Sequence, residues 1–310
     1  MSDTTGTATT TGLTRRSVAL DAQYRQSVAA EMDERIRLHK QRMAQYRASG
    51  EALKGQHAPL PLVLFAQGDS WFDYPLDGNG LPFGDTDIIA QLRGLGTQPP
   101  LVLNIAHYGD TSVQQLSLPK KHRMIEALAD KDNWAEQGHP DAILFSAGGD
   151  DIAGNQFTIF LDNKADHANG LDVQRFTEAL GMVKAAYRDL FEFRDRYATG
   201  VPIFAHCYDF PIPDGKHPPC IGPWLQPSLR YEHWYGIDEG TAICREALLG
   251  FRKALQDLAA DPANLFFLVD TQGTLQQAEW ANELHPKPPG FIALAEKFVT
   301  ALRGQFAGRI

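Results

Sequence analysis

Five short apolar runs recur along this chain, at 62–66, 101–106, 142–146, 201–205 and 265–269, each bounded by Gly, Pro, Asp or Asn. Each is too short for a helix and carries no polar alternation, so each reads as a strand buried on both faces. Helix-like segments follow near 86–94, 112–130, 172–197, 239–260 and 289–303. Asp172 and Asp238 are expected as N-caps, and Pro288-Pro289 opens the last segment. Strand alternating with helix demands a parallel sheet covered on both faces. The expected fold class is therefore α/β, a three-layer α/β/α sandwich of about five strands. In such sheets ligands sit beyond the carboxyl ends of the strands.

Composition narrows the class. The 310 residues are 43% hydrophobic, enough for one large covered core. A net charge of -9 disfavours a broad nucleic-acid or anionic-membrane surface. The N-terminal stretch is locally basic, with Arg15, Arg16, Arg25, Arg35, Arg37, Lys40, Arg42 and Arg47. It lacks interleaved aromatics and reads as a solvated helix face. No apolar run approaches the ~20 residues of a membrane span. The three cysteines, Cys207, Cys220 and Cys244, are odd in number and widely spaced, which argues for reduced thiols, with Cys207 in the core. Arg15-Arg16 is followed by charge rather than by an apolar export segment, so a cytoplasmic location is expected.

The domain reading is a disordered stretch over 1–16, an N-terminal helix over 17–56 and one large domain over 57–310, with loop insertions at 152–171 and 208–237. Helical spacing runs over 17–48, with Val28, Met32, Ile36, Met43 and Tyr46 on one stripe. Self-association through this helix is an expectation. Two connections are long, 152–171 and 208–237; the second carries Trp224, Tyr231, Trp234 and Tyr235 among many prolines. Loops of this length at the ligand edge commonly wall a site.

The residues just past the strands carry the chemistry. After the first comes Gly68-Asp69-Ser70, after the second His107-Tyr108-Gly109-Asp110-Thr111, and after the third Gly148-Gly149-Asp150-Asp151. Asn282-Glu283-Leu284-His285-Pro286 follows the fifth strand, just before the last helix. A hydroxyl, glycine N–H groups and a histidine on one rim are the parts of acyl transfer: nucleophile, oxyanion donors and general base.

In these blocks the chain resembles the GDSL-type, or SGNH, hydrolase family over roughly residues 60–305. That family has Gly-Asp-Ser after the first strand, a glycine N–H in its second block, Gly-x-Asn-Asp in its third and Asp-x-x-His-Pro in its last. The resemblance implies a flavodoxin-like parallel sheet and hydrolysis of a small-molecule or lipid-like ester. It implies Ser70 as nucleophile, His285 as general base, and an oxyanion hole from Ser70, Gly109 and Asp150. Asp69 is read as a turn-fixing residue. Two positions depart from the pattern. Asp150 stands where the family has asparagine, and an ionised carboxylate cannot donate to an oxyanion. Either burial beside Asp151 keeps it protonated, or it turns away. Asn282 stands where the family has the triad's acid; it is expected to orient His285, with Glu283 or Asp270 as the alternative acid. Trp71, Trp224 and Trp234 are candidate pocket residues. No cofactor or metal is implied.

Two rivals remain at this level. A metal-dependent phosphoesterase would draw on Asp69, His107, Asp110, Asp150, Asp151, His206 and Asp209, which all fall near strand ends. A catalytically decayed binding protein of the same fold would explain Asp150 and Asn282. A nucleophile elbow of the Gly-x-Ser-x-Gly type and a dinucleotide fingerprint are both missing.

Overall fold

A computed structural model of the chain describes residues 5–52, 61–75, 86–215 and 222–310. Its centre is a five-stranded sheet of β1 (Val63–Gly68), β2 (Leu101–Asn104), β3 (Ala142–Ser146), β4 (Ile203–His206) and β5 (Phe266–Val269). The strand order is β2-β1-β3-β4-β5 and every pairing is parallel. Every residue of β1 and β3 is buried, the reason their sequences are unbroken apolar runs. The five strands lie where the sequence places them, with ends shifted by no more than two residues. From β1 the chain moves outward to β2 and then returns across β1 to β3. The direction of winding thus reverses between β1 and β3, where a doubly wound sheet opens a crevice.

Helices cover the sheet: α1 (Thr5–Ala52), α2 (Ile88–Leu92), α3 (Ser112–Gln115), α4 (Leu118–Ala129), α5 (Gly149–Ile152), α6 (Val173–Tyr197), α7 (Gln226–Tyr231), α8 (Ile237–Ala259) and α9 (Pro288–Gln305). The expected helix at 112–130 is two helices. Pro119 is tolerated only in a first turn, so α4 restarts around it after Ser117. Asp172 caps α6 by accepting the Arg175 N–H at 2.9 Å. Asp238 does not cap α8; Gly236 does, and Asp238 lies in the first turn, where the helix dipole favours a carboxylate.

The N-terminal helix is longer than 17–48, and it includes residues 5–16, where disorder was expected. Met32, His39 and Met43 are buried beneath it, and Val28 and Ile36 pack on the core. Its basic residues are not simply a solvated face. Arg35 is paired with Asp73 and donates to the Ala106 carbonyl at 3.1 Å. Arg47 donates to the Trp134 carbonyl at 2.7 Å. These guanidinium groups reach a carbonyl just past β2 and carbonyls of the 131–134 turn, and so hold the helix there.

The two long connections are tied to one another. The Lys164 N–H donates to the Glu232 carbonyl, and the Trp234 indole donates to the Asp162 carbonyl at 2.7 Å. Cys207 and Cys244 are buried free thiols, whereas Cys220 lies outside the described residues. No helix among the described residues is long and apolar enough to cross a membrane.

Candidate active site

Gly68 ends β1 because nothing larger fits. A Cβ there would stand 2.8 Å from Cβ of Ser146 and 2.9 Å from the Phe72 ring. The chain then turns sharply, with the N–H groups of Phe72 and Asp73 both on the Asp69 carbonyl. The buried Asp69 carboxylate fixes this turn. Its Oδ1 accepts the Trp71 N–H at 3.0 Å and the Ser146 hydroxyl at 2.7 Å, and its Oδ2 accepts the Tyr208 hydroxyl. Burial nevertheless pushes Asp69 up to about 6, against these hydrogen bonds.

Behind Asp69 lies His206, whose burial pushes its pKa down to about 3. Nδ1 of His206 accepts the Tyr208 N–H at 3.1 Å, so Nε2 carries the proton and donates to Ser146 Oγ at 2.8 Å. Ser146 in turn donates to Asp69. A continuous buried chain of hydrogen bonds thus supports the turn that presents Ser70. Trp71 stacks on His206 at 5.1 Å and donates its indole N–H to the Leu284 carbonyl at 3.1 Å.

That last bond joins the β1 turn to the 280–286 loop, closed by the bridge between Trp280 and Pro286. Here Oγ of Ser70 stands 2.7 Å from Nε2 of His285. Oδ1 of Asn282 accepts the N–H of Leu284 at 3.0 Å and that of His285 at 2.8 Å. The same oxygen lies 3.1 Å from Nδ1 of His285, and Nδ2 of Asn282 donates to the Tyr74 hydroxyl at 3.3 Å. Two backbone donors identify the oxygen of the amide, so Nδ1 carries the imidazole proton and Nε2 offers its lone pair to Ser70. The Tyr74 ring lies 4.4 Å from the imidazole and the Trp224 ring 5.5 Å from it. Burial among these groups pushes His285 down to about 3, so it is a neutral base.

Both alternative acids lie elsewhere. Glu283 is fully buried, with its carboxylate accepting the N–H groups of Gly215, Trp224, Leu225 and Gln226. Asp270 is exposed and paired with Arg252 at 3.2 Å. Chain proximity to the histidine could not separate these residues; the direction of each side chain does.

Asp150 lines a pocket of about 60 Å³ together with Ser70 and His285. Its Oδ2 is buried and has no hydrogen-bond partner among the described residues. Burial, then the charges of Asp69 and Asp151, raises Asp150 well above the usual carboxylate range. This shift favours the neutral carboxyl, which can donate a hydrogen bond where an ionised one cannot. Asp151 instead accepts the N–H and the hydroxyl of Ser112, at 2.7 and 2.8 Å, anchoring α3.

Both long connections wall this pocket, through Ile152, Phe157 and Leu225 among others, and α8 adds Cys244 and Leu248. Trp71 lines it, whereas Trp224 covers His285 from outside the lining. Trp234 is a correction: it packs between Gly170 and Lys164 in the connection and lies away from the pocket. Gly109, with φ +76, lines a separate cleft beneath α1 with Tyr24 and Lys120. The loop bearing it is held at both ends to the strand-end turns after β1 and β3, by His107 N–H to the Gly68 carbonyl at 2.9 Å and by Ser112 to Asp151. The sequence reading missed Ser146, His206 and Tyr208 as supports; their only signal was their position at strand ends.

Asp69, Asp150 and Asp209 line one pocket but form no ligand set. Among the described residues no group of three or more His, Cys, Asp or Glu side chains could hold a metal ion. His107 bonds Tyr24 at 3.2 Å, and Asp209 is taken up by the N–H groups of Gly273 and Leu275.

No protein-family model matches the chain, and no curated protein is similar to it. Among solved structures it is similar to the lipase Lip_vut3 from a goat rumen metagenome, at 17% identity over 77% of this chain and 97% of that one, with a TM-score of 0.51. An extracellular lipase from Streptomyces rimosus matches at 16% identity, over 77% of this chain and 98% of that one, with a TM-score of 0.48. A mutant acetyl-xylooligosaccharide esterase from Geobacillus matches at 18% identity, over 80% of this chain and 96% of that one, with a TM-score of 0.46. With its parallel sheet in the order β2-β1-β3-β4-β5 between two helical layers, this chain has the three-layer α/β/α fold of the SGNH hydrolases.

Proposed function

We propose that this protein is a serine esterase that hydrolyses carboxylic esters through an acyl-enzyme on Ser70. One observation carries the reading: the 2.7 Å contact from Ser70 Oγ to an imidazole nitrogen whose lone pair is aimed by Asn282. His285 takes the Ser70 proton as Oγ attacks the ester carbonyl, then returns it to the departing alcohol. Water, deprotonated by the same nitrogen, releases the carboxylic acid and restores Ser70. The N–H of Ser70, which has no acceptor among the described residues, is the backbone donor of the oxyanion hole, whereas Gly109 lines the separate cleft beneath α1. The Asp150 carboxyl, in the neutral form that burial favours, stands where the family has its amide and is the second donor.

The pocket favours a short acyl group. About 60 Å³ corresponds to roughly four to six water-sized positions. That is room for an acetyl- to butyryl-sized chain against Ile152, Leu225 and Leu248. The test is p-nitrophenyl acetate turnover by wild type, Ser70→Ala and His285→Ala, with fluorophosphonate labelling alongside. Wild type should turn over and label, and each variant should lose about a thousandfold or more in kcat. A wild type that cleaves no ester, or Ser70→Ala as active as wild type, overturns the reading.

A further inference from the structure

The four backbone N–H groups on Glu283 have no part in the esterase mechanism, and they connect its two halves. Oε1 accepts from Gly215 at 3.1 Å and Gln226 at 3.0 Å; Oε2 accepts from Trp224 at 2.6 Å and Leu225 at 2.8 Å. Three of these donors are consecutive, so the chain at 224–226 wraps the carboxylate as a nest of amides wraps an anion. Glu283 itself is fully buried. A carboxylate removed from water is retained only where donors replace its hydration, and here four do so.

The two residues at the middle of this wrap face the catalytic chemistry. The Leu225 side chain forms a wall of the acyl pocket, and the Trp224 ring lies edge-on to His285 at 5.5 Å. Glu283 is flanked in the chain by Asn282, which orients the histidine, and by Leu284, whose carbonyl holds Trp71. One side chain therefore sets the distance between the loop that carries the base and the wall that closes the pocket.

We propose that Glu283 is the specificity-determining positioning residue of this esterase, limiting the acyl chain by holding Leu225 against the pocket. The inference rests on the esterase reading. Glu283 touches no substrate and acts through Leu225. A glutamine at 283 keeps the volume but turns two acceptor sites into donors that face backbone N–H groups. The 224–226 segment must then move outward, and the pocket lengthens.

The experiment measures kcat/KM for p-nitrophenyl acetate and octanoate in wild type, Glu283→Gln, Glu283→Asp and Leu225→Ala. Amide hydrogen exchange at 224–226 is followed in the same proteins. Wild type should favour acetate, and Glu283→Gln and Leu225→Ala should both lower the acetate-to-octanoate ratio by about tenfold or more. Exchange at 224–226 should quicken in Glu283→Gln and not in Leu225→Ala. Glu283→Asp, which keeps the charge but shortens the reach, should fall between wild type and Glu283→Gln, and it serves if the glutamine variant does not fold. A wild-type ratio in both Glu283 variants, beside a lowered ratio in Leu225→Ala, overturns the inference. So does unchanged exchange at 224–226. A wild type inactive on every ester, with quickened exchange in Glu283→Gln, overturns the esterase reading while leaving the clamp in place.

Discussion

The amide oxygen of Asn282 stands 3.1 Å from Nδ1 of His285 and also accepts the histidine's own backbone N–H. It aims the imidazole without supplying charge. The base consequently titrates low, at about 3, because burial opposes the imidazolium and nothing nearby is anionic enough to offset it.

This sets the acid side of the pH profile. A general base works while neutral, so wild-type kcat/KM should persist well below the ordinary histidine range. Asn282→Asp places a carboxylate at Nδ1, raises the His285 pKa and moves the acid limb to higher pH. Asn282→Ala should lower kcat about a hundredfold through loss of orientation. Stopped-flow pH profiles of the three proteins check both statements, and an unmoved limb in Asn282→Asp would contradict the electrostatic account.

The alkaline side belongs to Asp150. Its raised pKa means the folded state holds a proton that the unfolded chain gives up near pH 4. Folding stability is therefore greatest below that point and declines as pH rises toward the folded-state value. Oxyanion donation is lost over the upper part of the same rise. Asp150→Asn removes both losses. Its kcat/KM should stay level where wild type falls, and its Tm at pH 8 should exceed wild type by about 2–4 °C. Calorimetry at pH 5 and pH 8 separates the two effects.

Gly148 is a steric prediction. It stands at φ +109, and a Cβ there would lie 2.4 Å from the Phe251 ring. Gly148→Ala should destabilise the fold by about 2 kcal/mol or more through strain and overpacking beside the Asp150 turn. Chemical denaturation reads this directly, and a wild-type midpoint would show that Phe251 yields.

Chelation distinguishes the metal-dependent alternative. Ester turnover should be the same after dialysis against EDTA, and added Mn or Mg should not raise it. A loss restored by either ion would favour the metal-dependent reading.

The strand runs were legible because a strand buried on both faces must be apolar throughout, and β3 lies at 142–146 as read. The pairing of the Gly68–Ser70 block with His285 was legible because the ends of parallel strands meet on one rim. Asn282 was expected to orient His285, and its Oδ1 lies 3.1 Å from Nδ1, whereas Asp150 was left between two states and Glu283 remained a rival acid. Asn282 and Glu283 are adjacent acceptors in one loop, and no spacing rule says which of two neighbouring side chains turns inward. The separation of Gly109 from the Ser70 pocket, and the place of Trp234 in the connection, depend likewise on how long loops pack.

The amino-acid sequence by itself determined the doubly wound sheet and the identity of the residues at its rim, since burial pattern and chain order are local properties. Only the tertiary structure decided what those residues are chemically. Burial favours the neutral forms of Asp150 and His285, the Asn282 amide selects the imidazole tautomer, and four N–H groups distant in sequence engage the Glu283 carboxylate. Each depends on which groups surround a side chain once water has been excluded.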